Sequence, residues 1–306
     1  MRKIALIAVV AFAAACGSSS STPMGYIRVA NLAPDVAGID FCVATTGGTY
    51  SAPVMANAGS AAGLKYDIGA AVYPGLKQMS KYFGYGPGTY DIKIMSTAAG
   101  GSCANPLATL TGVTLADGGY KTIGFVGAQS TGGADAAPFA AVAFTDEVSV
   151  SSSAVAIRFT NDTLTPTGQA DPMFFKGISW NVGLSRAGGS TALFTEIAYP
   201  RTARSGALVD ANGYAIIPTA TLPSGNLTLY VCPFPFTPET VVSPYSCGTF
   251  TVTGAQISGG IIASAYMIGG VGMTTPPYSQ TALFCGDVVS GQVSSDGNYS
   301  TCVAGL

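Results

Sequence analysis

The sequence predicts an all-β protein, two tandem Ig-like β-sandwich domains behind an N-terminal export signal. Three observations carry this: a composition poor in charge and rich in turn residues, short runs of alternating apolar and polar residues, and an internal repeat. Charged residues make up 9% of the 306-residue chain, which holds 40 glycines and 18 prolines. Such a chain lacks the Lys, Arg and Glu that cover the outer faces of amphipathic helices. Strands at short spacing with turn chemistry between them point to a sandwich or a barrel.

The signal comes first. Arg2 and Lys3 precede an apolar run over residues 4–15, which ends on the small residues Ala13, Ala14 and Ala15 before Cys16. Charge, apolar stretch and small-residue site, in that order, define an export signal. The run covers about a dozen residues, short of the roughly 20 that cross a bilayer. Ala13-Ala14-Ala15-Cys16-Gly17 resembles a bacterial lipoprotein box, with Ala13 where leucine is usual. The resemblance implies cleavage after residue 15 and fatty acylation of Cys16, palmitate being one such chain. Residues 16–23 then form the lipidated cysteine and a Ser-rich flexible linker. Gly17 after Cys16, with no aspartate there, is consistent with an outer-membrane destination.

The strands follow a duplicated order. Tyr26-Ile27-Arg28-Val29-Ala30-Asn31 returns as Ala156-Ile157-Arg158-Phe159-Thr160-Asn161. Tyr73-Pro74 is echoed by Tyr199-Pro200, Gly88-Thr89-Tyr90 by Gly225-Asn226-Leu227, and Gly118-Gly119 by Gly259-Gly260. Alternation predicts strands over 26–30, 38–43, 89–95, 108–115 and 121–126, with an apolar strand over 139–145. In the second copy it predicts strands over 155–160, 227–232, 249–253 and 261–268. No amphipathic helix of three turns is evident; residues 70–82 hold at most a helical turn. The units fall at 24–148 and 153–306, joined by the serines around residue 151.

Tyr26-Ile27-Arg28-Val29-Ala30-Asn31-Leu32-Ala33-Pro34-Asp35, followed by Gly38-Ile39-Asp40-Phe41-Cys42-Val43, resembles the opening of the DUF4397 family. So do Tyr73-Pro74, Met79-Ser80-Lys81-Tyr82 and Pro87-Gly88-Thr89-Tyr90. The similarity is good over 26–148 and degenerate over 155–302. It implies β-sandwiches, often in tandem, on secreted or lipid-anchored bacterial proteins, and it carries over no catalytic residue.

With Cys16 acylated, six cysteines remain: Cys42, Cys103, Cys232, Cys247, Cys285 and Cys302. An even number in an exported chain argues for disulfides, with 15 pairings open. Cys42–Cys103, Cys232–Cys247 and Cys285–Cys302 is the preferred set, because each pair then stays within one inferred unit. Thiolate metal ligation needs closer spacing and histidine support, so no metal and no other cofactor is expected. Thirteen basic residues, two of them in the signal, face 15 acidic ones. No basic stripe marks a nucleic-acid partner.

The chain has no histidine. That removes Ser-His-Asp and Cys-His activation and the usual general base near neutral pH. Paired carboxylates could support glycoside hydrolysis, and Asp146-Glu147, Glu196 and Glu239 are the candidates. A solvated strand end accounts more simply for Asp146-Glu147. Asn31, Asp35 and Asp40, or Asn161, Asp162 and Asp171, could offer oxygens to calcium, but turn capping suits their spacing better. Arg28 with Asp40, and Arg158 with Asp171, read as repeated pairs that each hold two strands together; a ligand-binding arginine is the sharper alternative. Tyr66, Tyr73, Tyr82, Phe83 and Tyr85, and then Phe174, Phe175, Trp180, Phe234 and Phe236, would plug the ends of the sandwiches or stack on sugars. Arg28, Tyr82, Tyr85 and Trp180 are the candidate ligand contacts.

The sequence thus predicts a non-catalytic binding, adhesion or structural protein of the bacterial cell envelope, tied to the membrane through its lipid. A surface glycan or an envelope protein is the expected partner. The alternative is a carboxylate-dependent carbohydrate-active enzyme.

Overall fold

The computed structural model describes residues 22–34, 36–66, 77–99, 101–128, 137–147, 149–161, 180–186, 189–197, 201–202, 209–222, 227–233, 235–242, 246–252, 259–268, 281–287, 298–300 and 302–305. Residues 1–21, Cys16 among them, lie outside them, as do Asp35, Tyr73, Asp162, Asp171, Phe174, Phe175 and Phe234.

The protein is all-β and its sheets pack as sandwiches. In residues 25–146, strands β1 (Gly25–Asn31), β3 (Phe83–Tyr85), β6 (Tyr120–Ala128) and β7 (Ala137–Asp146) form one sheet in the order β3-β1-β6-β7. Strands β2 (Ile39–Thr45), β4 (Gly88–Ser96) and β5 (Ala108–Leu115) form the facing sheet, β2-β4-β5. Period-2 alternation aims Ile27, Val29, Ile123 and Phe125 inward, against Phe41, Ile92, Ile94 and Val113.

Residues 154–305 repeat the plan. Strands β8 (Ala154–Asn161), β11 (Arg201–Thr202), β12 (Tyr214–Pro218), β15 (Ile262–Ile268), β16 (Thr281–Gly286) and β17 (Cys302–Gly305) make one sheet. Strands β9 (Trp180–Arg186), β10 (Gly189–Ile197), β13 (Leu227–Pro233) and β14 (Gly248–Val252) make the other. Ile157, Phe159, Ala265 and Met267 meet Trp180, Val182, Leu229 and Val231 between them.

The register fixes the duplication more firmly than the sequence does. β1 runs parallel to β6 with Arg28 opposite Thr122, and β8 runs parallel to β15 with Arg158 opposite Ser264. A parallel pair needs a long crossover, so finding the same one twice in matching register is specific. Every residue of β8 and β15 is buried, and in β1 only Tyr26 is partly exposed. Strands covered on both faces bury both sets of side chains. The second cover is a third apolar layer, where Ala30, Leu32, Val126 and Phe144 meet Tyr266, Ile268, Leu283 and Cys285. It lies on the face of each sheet turned away from its own sandwich core.

The longest helix among the described residues is one turn, α1 (Val54–Asn57). The helical turn expected within 70–82 falls partly outside them, and Met79 and Ser80 form β-bridges instead. Three disulfides form, Cys42–Cys103, Cys232–Cys247 and Cys285–Cys302. Closing the loop of sequence separation 61 between Cys42 and Cys103 restricts the unfolded chain by about 4 kcal/mol on a loop-entropy estimate.

Candidate functional site

Arg28 and Arg158 project from the outer faces of β1 and β8 into the layer between the two halves, and neither has any exposed surface. Arg28 donates from Nε to Thr122 Oγ1 at 2.8 Å and from Nη1 to the Gly286 carbonyl at 2.6 Å. Its Nη2 closes on Asp287 Oδ1. Arg158 does the same in mirror order: Nε to Ser264 Oγ at 3.0 Å, Nη1 to the Thr145 carbonyl at 2.8 Å, and Nη2 to Asp146 Oδ1 at 2.5 Å. Each arginine therefore grips the carboxylate and the preceding carbonyl of the other half.

The second carboxylate oxygen is held at home. Asp146 Oδ2 accepts from Tyr82 Oη at 2.8 Å and Thr122 Oγ1 at 2.7 Å. Asp287 Oδ2 accepts from Tyr214 Oη at 2.6 Å and Ser264 Oγ at 2.7 Å. The same tyrosines lie over the guanidinium groups, Tyr82 at 4.5 Å from Arg28 and Tyr214 at 4.7 Å from Arg158. Two cations and two anions are thus sealed together with matched charge and directed hydrogen bonds, which a buried charge requires.

Electrostatics keep the two arginines, Asp146 and the two tyrosines each in one protonation state. Burial alone would lower both guanidinium values, but the facing tyrosine and aspartate oxygens outweigh it and raise them above the ordinary value. Burial alone would raise Asp146; Arg158, and after it Arg28, hold it below the usual carboxylate value. Burial pushes the Tyr82 and Tyr214 hydroxyls well up, so both remain donors to their carboxylates. The cluster can hold two sheets together, and its groups leave no carboxylate oxygen without a donor.

No protein-family model matches the chain. No curated protein matches it either.

The structure corrects two expectations. Arg28 does not pair with Asp40. Asp40 accepts instead from the backbone N–H groups of Phe41, Met55 and Ala56 and so fixes the start of α1. Arg158 pairs with Asp146, while Asp171 lies outside the described residues. Asp146 is not a solvated strand end; it is 2% exposed, because the second sandwich covers it. Asn31 caps its turn, donating to the Val36 and Leu64 carbonyls and accepting from the Ala33 N–H.

The other singled-out aromatics scatter. Trp180 is 3% exposed within the second core. Phe83 packs edge-on against Phe41, and Tyr85 leans on Tyr90 with ring centroids 5.7 Å apart. A shallow groove of about 290 Å³ beside α1 is lined by Asp40, Pro53 and Met95, among others. Among the described residues no cluster of acidic or cysteine side chains suits a metal ion, and no helix is long and apolar enough to cross a membrane.

Sequence reasoning found both arginines and missed Asp287, Tyr214, Thr122 and Ser264. A signal existed: Phe144-Thr145-Asp146 aligns with Cys285-Gly286-Asp287 once the two β6-like strands are superposed in register. It also missed the crossing of residues 298–300 into the first half. There Lys81 N–H donates to the Asn298 carbonyl, Ser300 N–H donates to the Met79 carbonyl, and Tyr299 enters the first core.

Proposed function

We propose that this chain is a lipid-anchored bacterial envelope protein, lodged in the outer membrane, whose double sandwich of DUF4397-like units (24–148 and 153–306) is a non-catalytic binding or structural module. The observation that carries the non-catalytic part is the reciprocal arginine clasp. Asp146 and Asp287, the carboxylates gathered in the layer between the halves, are both buried and both closed on arginines. Carboxylates so engaged serve architecture, whereas glycoside hydrolysis needs one that accepts and releases protons at a bond. Three disulfides suit an oxidising compartment.

The anchor rests on Ala13-Ala14-Ala15-Cys16-Gly17. A binding role is supported by half-exposed tyrosines, Tyr26 stacked on Tyr120 at 4.6 Å with Tyr82 edge-on to Tyr120 at 5.0 Å. Flat aromatic surface suits a glycan or an envelope protein.

The test is labelling with a fatty-acid analogue in the native host. Wild-type chain should carry label and sediment with membranes; Cys16→Ser should lose the label and retain the signal. Label on the Cys16→Ser chain would refute the anchor. Retention of the soluble body on an envelope polysaccharide, weakened by Tyr120→Ala, would mark the binding role, whereas turnover of that polysaccharide would refute the non-catalytic reading.

A further inference from the structure

We infer that the two halves are joined through a fused dimer interface, so that each half is a fitted binding partner for the other and holds it without the connecting segment. The contacts are reciprocal to the atom. Arg28 Nη2 and Nη1 reach Asp287 and the Gly286 carbonyl; Arg158 Nη2 and Nη1 reach Asp146 and the Thr145 carbonyl. Each Nε finds a hydroxyl on the neighbouring strand of its own half, Thr122 or Ser264. Two identical modules meeting about a two-fold axis give this pattern, in which residue i touches j and j touches i.

The match has been made selective for the unlike half. In register, Gly124 corresponds to Tyr266 and Phe144 to Cys285. One half is small where the other is large, and the two large rings, Phe144 and Tyr266, meet across the layer at 6.4 Å. A Cβ on Gly124 would stand 3.2 Å from the Phe144 ring, so the glycine makes room for it. Two first halves would lack the Tyr266 ring at this contact, and two second halves would lack the Phe144 ring. The crossing segment adds to the selectivity, because Asn298 Nδ2 donates to Ser60 Oγ at 2.9 Å and to the Ala58 carbonyl at 3.0 Å. By contrast, Ser151, Ser152 and Ser153 of the connection are exposed.

The experiment places a protease site between Ser151 and Ser152 of the full chain and cuts it after folding and oxidation. The two pieces should co-elute at the size of the uncut protein at micromolar concentration and separate only in denaturant. In the Asp146→Asn, Asp287→Asn chain, association after the cut should weaken by at least about 100-fold, the cost of unpairing buried charges. Cut wild-type pieces that separate in buffer would overturn the inference. If the inserted site prevents folding, the unmodified chain decides. Trp180, its only tryptophan, reports the second half by fluorescence, and hydrogen exchange in β4 reports the first. Coincident unfolding transitions support the fused interface, and separate ones overturn it.

Discussion

Arg28 and Arg158 show what a guanidinium needs to stay in a protein interior: an acceptor for its N–H groups, a counter-charge, and a ring face to lie on. Removing one partner leaves a buried charge alone, which costs about 3–5 kcal/mol, whereas replacing the whole pair by apolar groups of similar size is near neutral. Asp287→Leu should therefore lower unfolding free energy by about 3–5 kcal/mol, and adding Arg28→Met to it should recover most of that; urea denaturation of the wild type, Asp287→Leu, Arg28→Met and the double variant gives the cycle. The same geometry sets an acid limit. Arg158 and Arg28 hold the Asp146 carboxyl below its usual value, so it binds a proton more weakly folded than unfolded. Its contribution is complete above the unfolded value near pH 4 and is lost as pH falls through the lower folded one. Melting temperature should drop on that acid side, and Asp146→Asn should be less stable at pH 7 with a flatter acid limb. An acid limb as steep as that of the wild type would contradict the assignment.

At the scale of elements, strands that alternate, or that the internal repeat matches to an earlier strand, were legible and the others were not. β1, β2 and β4 through β8 stand within a residue or two of the runs read from alternation, as do β13, β14 and β15. β16, Thr281–Gly286, is an apolar run because both of its faces are covered, and such a run has no period to read. β9 was hidden by Gly183, a residue that ordinarily weakens a strand. Its reason is spatial: a Cβ there would lie 2.3 Å from the Thr191 carbonyl and 2.5 Å from the Tyr230 ring. Gly183→Ala should cost about 1–3 kcal/mol by overpacking, read as a lower urea midpoint with the slope unchanged, while Gly59→Ala, with no atom within 4 Å but a positive φ, tests the cost of backbone strain alone. Single removal of the Cys42–Cys103 bridge should cost more than removal of Cys285–Cys302 on loop length, since their separations are 61 and 17. The second bridge also anchors the crossing segment, so its loss should raise hydrogen exchange at Lys81, whose N–H donates to Asn298.

For the whole molecule, the repeat made the two arginines visible and concealed their partners. Duplication says which residues correspond; it does not say whether a contact closes within a copy or between copies. The within-copy choice, Arg28 with Asp40, was the shorter in sequence and the wrong one, because Asp40 faces α1 and the arginine faces the opposite side of its sheet. The consequence reaches stability at large scale. A fragment ending at residue 148 keeps both sheets of the first sandwich but loses Asp287, the Gly286 carbonyl and Tyr299, which are the charge partner, an acceptor and a core side chain. It also bares the apolar face built on Ala30, Leu32, Val126 and Phe144. Fragment 24–148 should consequently show strand-type circular dichroism with a broad, weakly cooperative melt and dye-binding apolar surface. Arg28→Met in that fragment should sharpen the transition, since it removes the unpaired charge. A wild-type fragment melting as sharply and as high as the full chain would mean that the first sandwich carries its own stability and that the clasp only sets the angle between the two.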